Sequence, residues 1–79
     1  MTWQANWHEL AHPHDYGSDI VAGYGSDVDE EYVLLRRKDP LTFEVLHDVN
    51  GDKRTVRTIK SHKDNALAGM RNYIRSLPK

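Results

Sequence analysis

Cysteine is absent from this sequence, which excludes a disulfide framework and any thiolate metal site. No apolar run approaches the ~20 residues that a membrane-spanning helix needs. The opening stretch MTWQANW has neither a basic start nor an apolar core, so a signal peptide is not expected there. The first 35 residues contain no lysine or arginine at all. Their charge comes from seven acids: Glu9, Asp15, Asp19, Asp27, Asp29, Glu30 and Glu31. All eleven basic residues lie beyond them, among five further acids. The net charge of −1 therefore conceals an acidic half and a basic half. Such a division sets up opposed surface patches or mutual neutralisation across the fold, and it concerns partners more than architecture.

What is present suffices for one small core. The 79 residues fit a single compact domain, 1–79, with no room for a second core. A chain of this size is held by about 4–12 kcal/mol. Trp3, Trp7, Tyr24, Tyr32, Phe43 and Tyr73 supply bulk, together with scattered Leu, Ile and Val. A soluble cytoplasmic protein, monomer or homodimer, is the expectation, with no membrane and no cofactor.

Period-two patterning dominates the middle of the chain. Residues 20–24, flanked by two copies of Tyr-Gly-Ser-Asp, read as an edge strand. Residues 31–37, EYVLLRR, read as a strand whose Tyr-Val-Leu-Leu run exceeds what one-sided burial needs, as a central strand or a dimer interface would. Asp39-Pro40 makes a turn. In Thr42–Val49, the side chains of Phe43, Val45, His47 and Val49 share one face, which makes His47 a core-edge histidine. Asn50-Gly51 is a strong hairpin signal because both residues tolerate positive φ. Residues 53–60 return as its partner strand. Ser61-His62-Lys63-Asp64 then reads as a capping box, with His62 exposed. Ala66, Leu67, Met70, Tyr73, Ile74 and Leu77 form the apolar stripe of a C-terminal helix that Pro78 stops. The fold class is α+β: a three- or four-stranded antiparallel meander with an amphipathic C-terminal helix on one face. A short helix over residues 2–12 is expected beside it, capped by Thr2 and closed by Pro13; a strand with Trp3, Ala5 and Trp7 at period two competes with it.

That N-terminal stretch spells His8-Glu9-Leu10-Ala11-His12, the H-E-x-x-H pattern of zinc hydrolases. The chemistry needs both histidines one helical turn apart on a cleft, with the glutamate as base and a further ligand. On the expected helix Trp3, Trp7 and Leu10 mark the buried side, which turns His8, Glu9 and His12 to solvent. Asp15 stands where the metzincin extension has glycine. The motif is read as fortuitous and the protein as no enzyme; His8, His12 and His14 remain weak metal candidates. Asp-Val-Asp-Glu-Glu at 27–31 is carboxylate-rich without the spacing of a calcium loop. Asp48–Asp52 is better explained as a hairpin, and the Gly23 and Gly25 pair lacks a phosphate loop's context.

Two functional readings follow. Phe43, Val45, Val49, Gly51, Ser61 and Lys63 echo the strand pair, glycine turn and Ser-Lys-Lys helix start of the double-stranded RNA-binding domain, with His62 in place of the second lysine and Ala66 shifted by one position. Tyr32 and Pro40 faintly echo that family's tyrosine- and proline-rich start. The same stretch, residues 43–70, resembles the arm-binding domain of phage integrases in topology. Those resemblances imply a nucleic-acid-binding module in which Lys53, Arg54, Arg57, Lys60, Lys63, Arg71 and Arg75 contact phosphates.

The preferred reading is a binding protein. A short cysteine-free chain with a dense acidic segment and no catalytic constellation resembles, in format, small phage-encoded anti-defence proteins, including anti-CRISPR inhibitors. In that reading Asp15, Asp19, Asp27, Asp29, Glu30 and Glu31 imitate nucleic-acid phosphates. They would meet a protein or ribonucleoprotein complex with a basic surface. Tyr16 and Tyr24 serve as aromatic anchors beside those charges.

Overall fold

The computed structural model describes residues 6–77. Its strands are β1 (Trp7–Glu9), β2 (Ile20–Ser26), β3 (Glu31–Asp39), β4 (Thr42–Val49) and β5 (Asp52–Ile59), followed by helix α1 (Lys63–Arg75). They form one five-stranded sheet in the order β1-β2-β3-β4-β5, antiparallel throughout. This is the α+β meander with a C-terminal helix that the patterning implies. The additional strand arises at the N-terminal side, where Trp7–Glu9 pairs with residues 24–26 of β2 instead of continuing a helix. Trp7 and Glu9 therefore lie on one face and His8 on the other. Thr2, Trp3, Ala5 and Pro78, invoked above for caps and faces, lie outside the described residues.

Strand β3 is the central strand, which accounts for its continuous apolar run. Val33 and Leu35 face the helix, while Leu34 faces the other way, and all three are fully buried. On the helix side Trp7, Tyr24, Val33, Leu35, Phe43 and Val45 pack with Ala66, Met70 and Ile74 in one cluster. Burying a Leu- or Phe-sized side chain contributes roughly 1.5–3 kcal/mol, so this layer carries most of the stability.

The opposite face holds a second, smaller cluster of Ile20, Leu34 and Leu46, with Leu10 and Tyr32 against it. It is covered by the chain between β1 and β2. The Leu10 amide donates to the Gly23 carbonyl at 3.0 Å, and the path then closes through a 3-10 turn, Pro13–Tyr16. The Tyr16 ring rests 5.1 Å from that of Tyr32. Gly23 permits this close approach: a Cβ there would lie 2.9 Å from Leu10 Cδ1 and 2.8 Å from Leu34 Cδ2.

The β4–β5 turn uses Asn50 and Gly51 at φ 54° and 91°, the left-handed geometry that the Asn-Gly pair accommodates. Helix α1 starts without the anticipated capping box. His62 is the N-cap and makes no side-chain cap bond, while Ser61 Oγ accepts from Asn65 Nδ2 at 2.7 Å. The helix runs back along β5, because Gly69 meets Ile59 near the strand's end and Tyr73 reaches His47 further down the sheet. Its C-terminal turn thus arrives near the end of the sheet that carries the β2–β3 and β4–β5 turns.

Candidate functional site

Chemistry-bearing side chains gather where α1 ends over β3, β4 and β5. Val33 pairs with His47 and Glu31 with Val49, so Glu31 and His47 are diagonal neighbours on the helix face. The Glu31 carboxylate stands 2.5 Å from His47 Nε2. On the other side of the ring, Nδ1 lies 2.7 Å from the Tyr73 phenolic oxygen. Glu31 is 8 % exposed, so this carboxylate is held inside the fold. An ionised carboxylate only accepts hydrogen bonds, hence Nε2 carries the proton that Glu31 takes. In the neutral imidazole Nδ1 is then the acceptor, and Tyr73 donates its hydroxyl hydrogen to it. Burial, reinforced by the nearby Glu31 charge and opposed by Arg57, raises the Tyr73 phenol above its ordinary value. The phenol therefore stays protonated at neutral pH.

His47 and Tyr73 form one wall of an open cavity of about 410 Å³, completed by Val49, Asp52, Arg54 and Val56. The β4–β5 register shifts between Val45 and Leu46, which lie opposite Arg57 and Thr55 respectively, so Val56 has no partner across the ladder. Alternation along β5 already puts Val56 on the side of Asp52 and Arg54, and the extra residue at the bulge lets the next one, Arg57, face α1 as well. Asp52 and Arg54 approach only to 3.6 Å, with side chains 70 % and 77 % exposed, a loose pair that contributes little. Arg57 is engaged elsewhere: it donates to the Gly69 carbonyl at 3.4 Å and lies over the Tyr73 ring.

Beside the cavity stands an acidic end of the sheet. Asp27, Val28, Asp29 and Glu30 form the exposed β2–β3 turn, with the Val28 and Asp29 amides donating to Ser26 Oγ. Asn50 N–H donates to the Glu30 carbonyl at 2.9 Å, which ties this turn to the β4–β5 hairpin. Asp52 therefore joins Asp27, Asp29 and Glu30 at one end of the molecule. Val28, 66 % exposed, and Val49, 45 % exposed, are apolar points among these charges. Asp48 is also nearby, but its carboxylate accepts the Gly51 amide at 2.8 Å within the hairpin.

The acidic residues singled out by sequence thus divide. Asp27, Asp29 and Glu30 come together. Asp15 and Tyr16 lie on the far face with the 3-10 turn, and Asp19 sits at the opposite end, where its carbonyl accepts the Arg37 amide. Two of the expected contact residues are not surface groups. Tyr24 alternates onto the helix face, is 8 % exposed, and accepts from Arg71 Nε at 3.1 Å. Glu31 is turned inward to His47.

The basic candidates form no common face. Arg57 flanks α1 on the β5 side and Arg71 flanks it on the β2 side, with β3 and β4 between. Lys53 pairs with Asp48 and so occupies the face opposite Arg54, which pairs with His47. Lys60 and Lys63 lie at the other end of the sheet, before and at the start of α1; Arg75 is in its last turn, donating to Asn72.

The H-E-x-x-H segment is not helical. His8 lies on the face away from α1, where Nδ1 stands 2.5 Å from Asp27, while Glu9 faces the helix side. His12 precedes the 3-10 turn and His14 lies within it. Among the described residues no three His, Cys, Asp or Glu side chains are grouped to hold a metal ion. Among them also, no helix is long and apolar enough to cross a membrane. Comparison with protein-family models, curated proteins and solved structures finds no match for the chain.

Proposed function

We propose that this protein acts without catalysis, by laying the acidic end of its sheet against a basic surface of a protein or ribonucleoprotein partner. An inhibitor of the anti-CRISPR type, occupying a channel that otherwise holds nucleic acid, is the form of this function that suits the chain best. The observation that carries the reading is the union of two turns at one end. Asp27, Asp29, Glu30 and Asp52 are displayed together around exposed Val28 and Val49. Single-sign charge steers a basic partner, and apolar points within it supply the contact that charge alone lacks. The dispersal of the cations, two of them engaged by Gly69 and Tyr24, weighs against a phosphate-tracking face.

Titration against guide-loaded CRISPR effector complexes tests the reading. The expected result is tight binding by the wild type, weakened at least about ten-fold in an Asp27→Asn/Asp29→Asn/Glu30→Gln variant. In a parallel gel-shift assay neither DNA nor RNA is retarded. Retardation of either, with affinity falling steeply as salt rises, would overturn the reading in favour of a nucleic-acid-binding module.

A further inference from the structure

The acceptor character of the cavity wall says what the cavity can hold. Glu31 takes the Nε2 proton of His47 as its hydrogen-bond partner, so in the neutral imidazole Nδ1 accepts the Tyr73 hydroxyl hydrogen. The phenolic oxygen then offers the cavity a lone pair and no donor. Asp52, on the cavity's rim, is also acceptor-only, and its hold on Arg54 is loose at 3.6 Å. The neighbouring turns add Asp27, Asp29 and Glu30, and the C-terminal end of α1 adds the negative end of its dipole. Arg54 and Arg57 are the opposing charges; Arg57 is bound to Gly69 and stacked on Tyr73, and Arg54 is free to swing outward. Val49 and Val56 make the remaining walls apolar.

Resting on the proposed binding of a basic partner, we infer that this cavity receives one lysine or arginine side chain of that partner. Its methylene stem packs on Val49 and Val56, and its cationic head donates to the Asp52 carboxylate and the Tyr73 oxygen. A long cationic side chain has this division between apolar stem and polar head, and the cavity supplies a matching surface for each. An anionic group would meet two acceptors and a negative surround.

The test uses the full chain and an octa-arginine peptide, followed by calorimetry and by NMR contacts from arginine side-chain protons to the Val49 and Val56 methyl groups. The expected result is such contacts, and affinity lowered about ten-fold in Val56→Trp, which fills the cavity without altering charge. Asp52→Asn provides a second variant that leaves packing intact and is expected to weaken binding as well. The Asp27→Asn/Asp29→Asn/Glu30→Gln variant is expected to bind more weakly yet keep the methyl contacts. If the peptide binds, the turn variant abolishes binding, and neither Val56→Trp nor Asp52→Asn changes it, the cavity inference is overturned while the acidic-end reading stands. If the wild type does not bind the peptide at all, both are overturned.

Discussion

The imidazole of His47 meets the ring of Tyr73 edge to face, 5.5 Å between centroids, and its Nδ1 lies 2.7 Å from that ring's hydroxyl oxygen. A strand and the end of a helix are joined there by a single polar contact at the border of an apolar core. Tyr73→Phe removes the hydroxyl and keeps the ring. The expected loss is about 1 kcal/mol, the net worth of one hydrogen bond, which lowers the thermal midpoint by roughly 4–8 °C in a domain this small.

The same hydroxyl has an alkaline signature. Burial and Glu31 raise the Tyr73 phenol above 10.0. A proton held more tightly in the folded state stabilises it fully below the unfolded value, and that contribution disappears as pH rises through the folded one. Tyr16 is also raised, first by burial. Absorbance titration should therefore show late tyrosine ionisation, part of which vanishes in Tyr73→Phe.

Glu31 and His47 form a largely buried pair, with side chains 11 % and 15 % exposed. Removing either partner costs the other a short hydrogen bond inside the fold. Glu31→Gln and His47→Leu are each expected to cost about 1.5–3 kcal/mol in urea unfolding. The double variant should cost less than their sum by about 1–3 kcal/mol, because the shared hydrogen bond is lost only once. Strict additivity would show the pair to be uncoupled.

Gly23→Ala tests the layer opposite the helix. The added carbon would stand 3.2 Å from the Val33 carbonyl as well as crowding Leu10 and Leu34. An overpacked site of this kind costs about 1–3 kcal/mol. The Leu10 amide, bonded to the Gly23 carbonyl, should exchange with solvent faster than in the wild type.

Zinc is expected to leave the thermal midpoint unchanged, since His8 and Glu9 point to opposite faces of β1. A ligand that binds only the folded state raises the midpoint by mass action. A zinc-dependent rise that disappears in His8→Ala and His12→Ala would show a metal site.

Much of the fold was legible because its signals are local. Alternation in Thr42–Val49, the Asn-Gly turn and the stripe of Ala66, Met70 and Ile74 each act within a few residues. The unbroken apolar run of β3 fitted either a central strand or a dimer interface, and the sheet order puts the strand at the centre. The segment around Trp7 misled because two readings fit it: Trp3, Trp7 and Leu10 match a helical face, while strand pairing to β2 is a long-range contact with no local signature. The site was less legible for the same reason. Glu31, His47 and Tyr73 come from three elements, and the carboxylate looks from its neighbours like one more member of an acidic run. Asp52 belongs to the basic half of the chain, and only the joining of two turns places it with Asp27, Asp29 and Glu30.

The order of strands in the sheet repeats their order in the chain. From β2 onward each strand thus finds its partner a short turn away, and only β1 is set off by a longer connection, residues 10–19. Topologies of this kind reach the native state faster than sheets whose strands cross over one another. The β3–β4–β5 part is joined by turns of only a few residues and can zip up first. The chain from Leu10 to Tyr16, lying over the back of the sheet, then closes last.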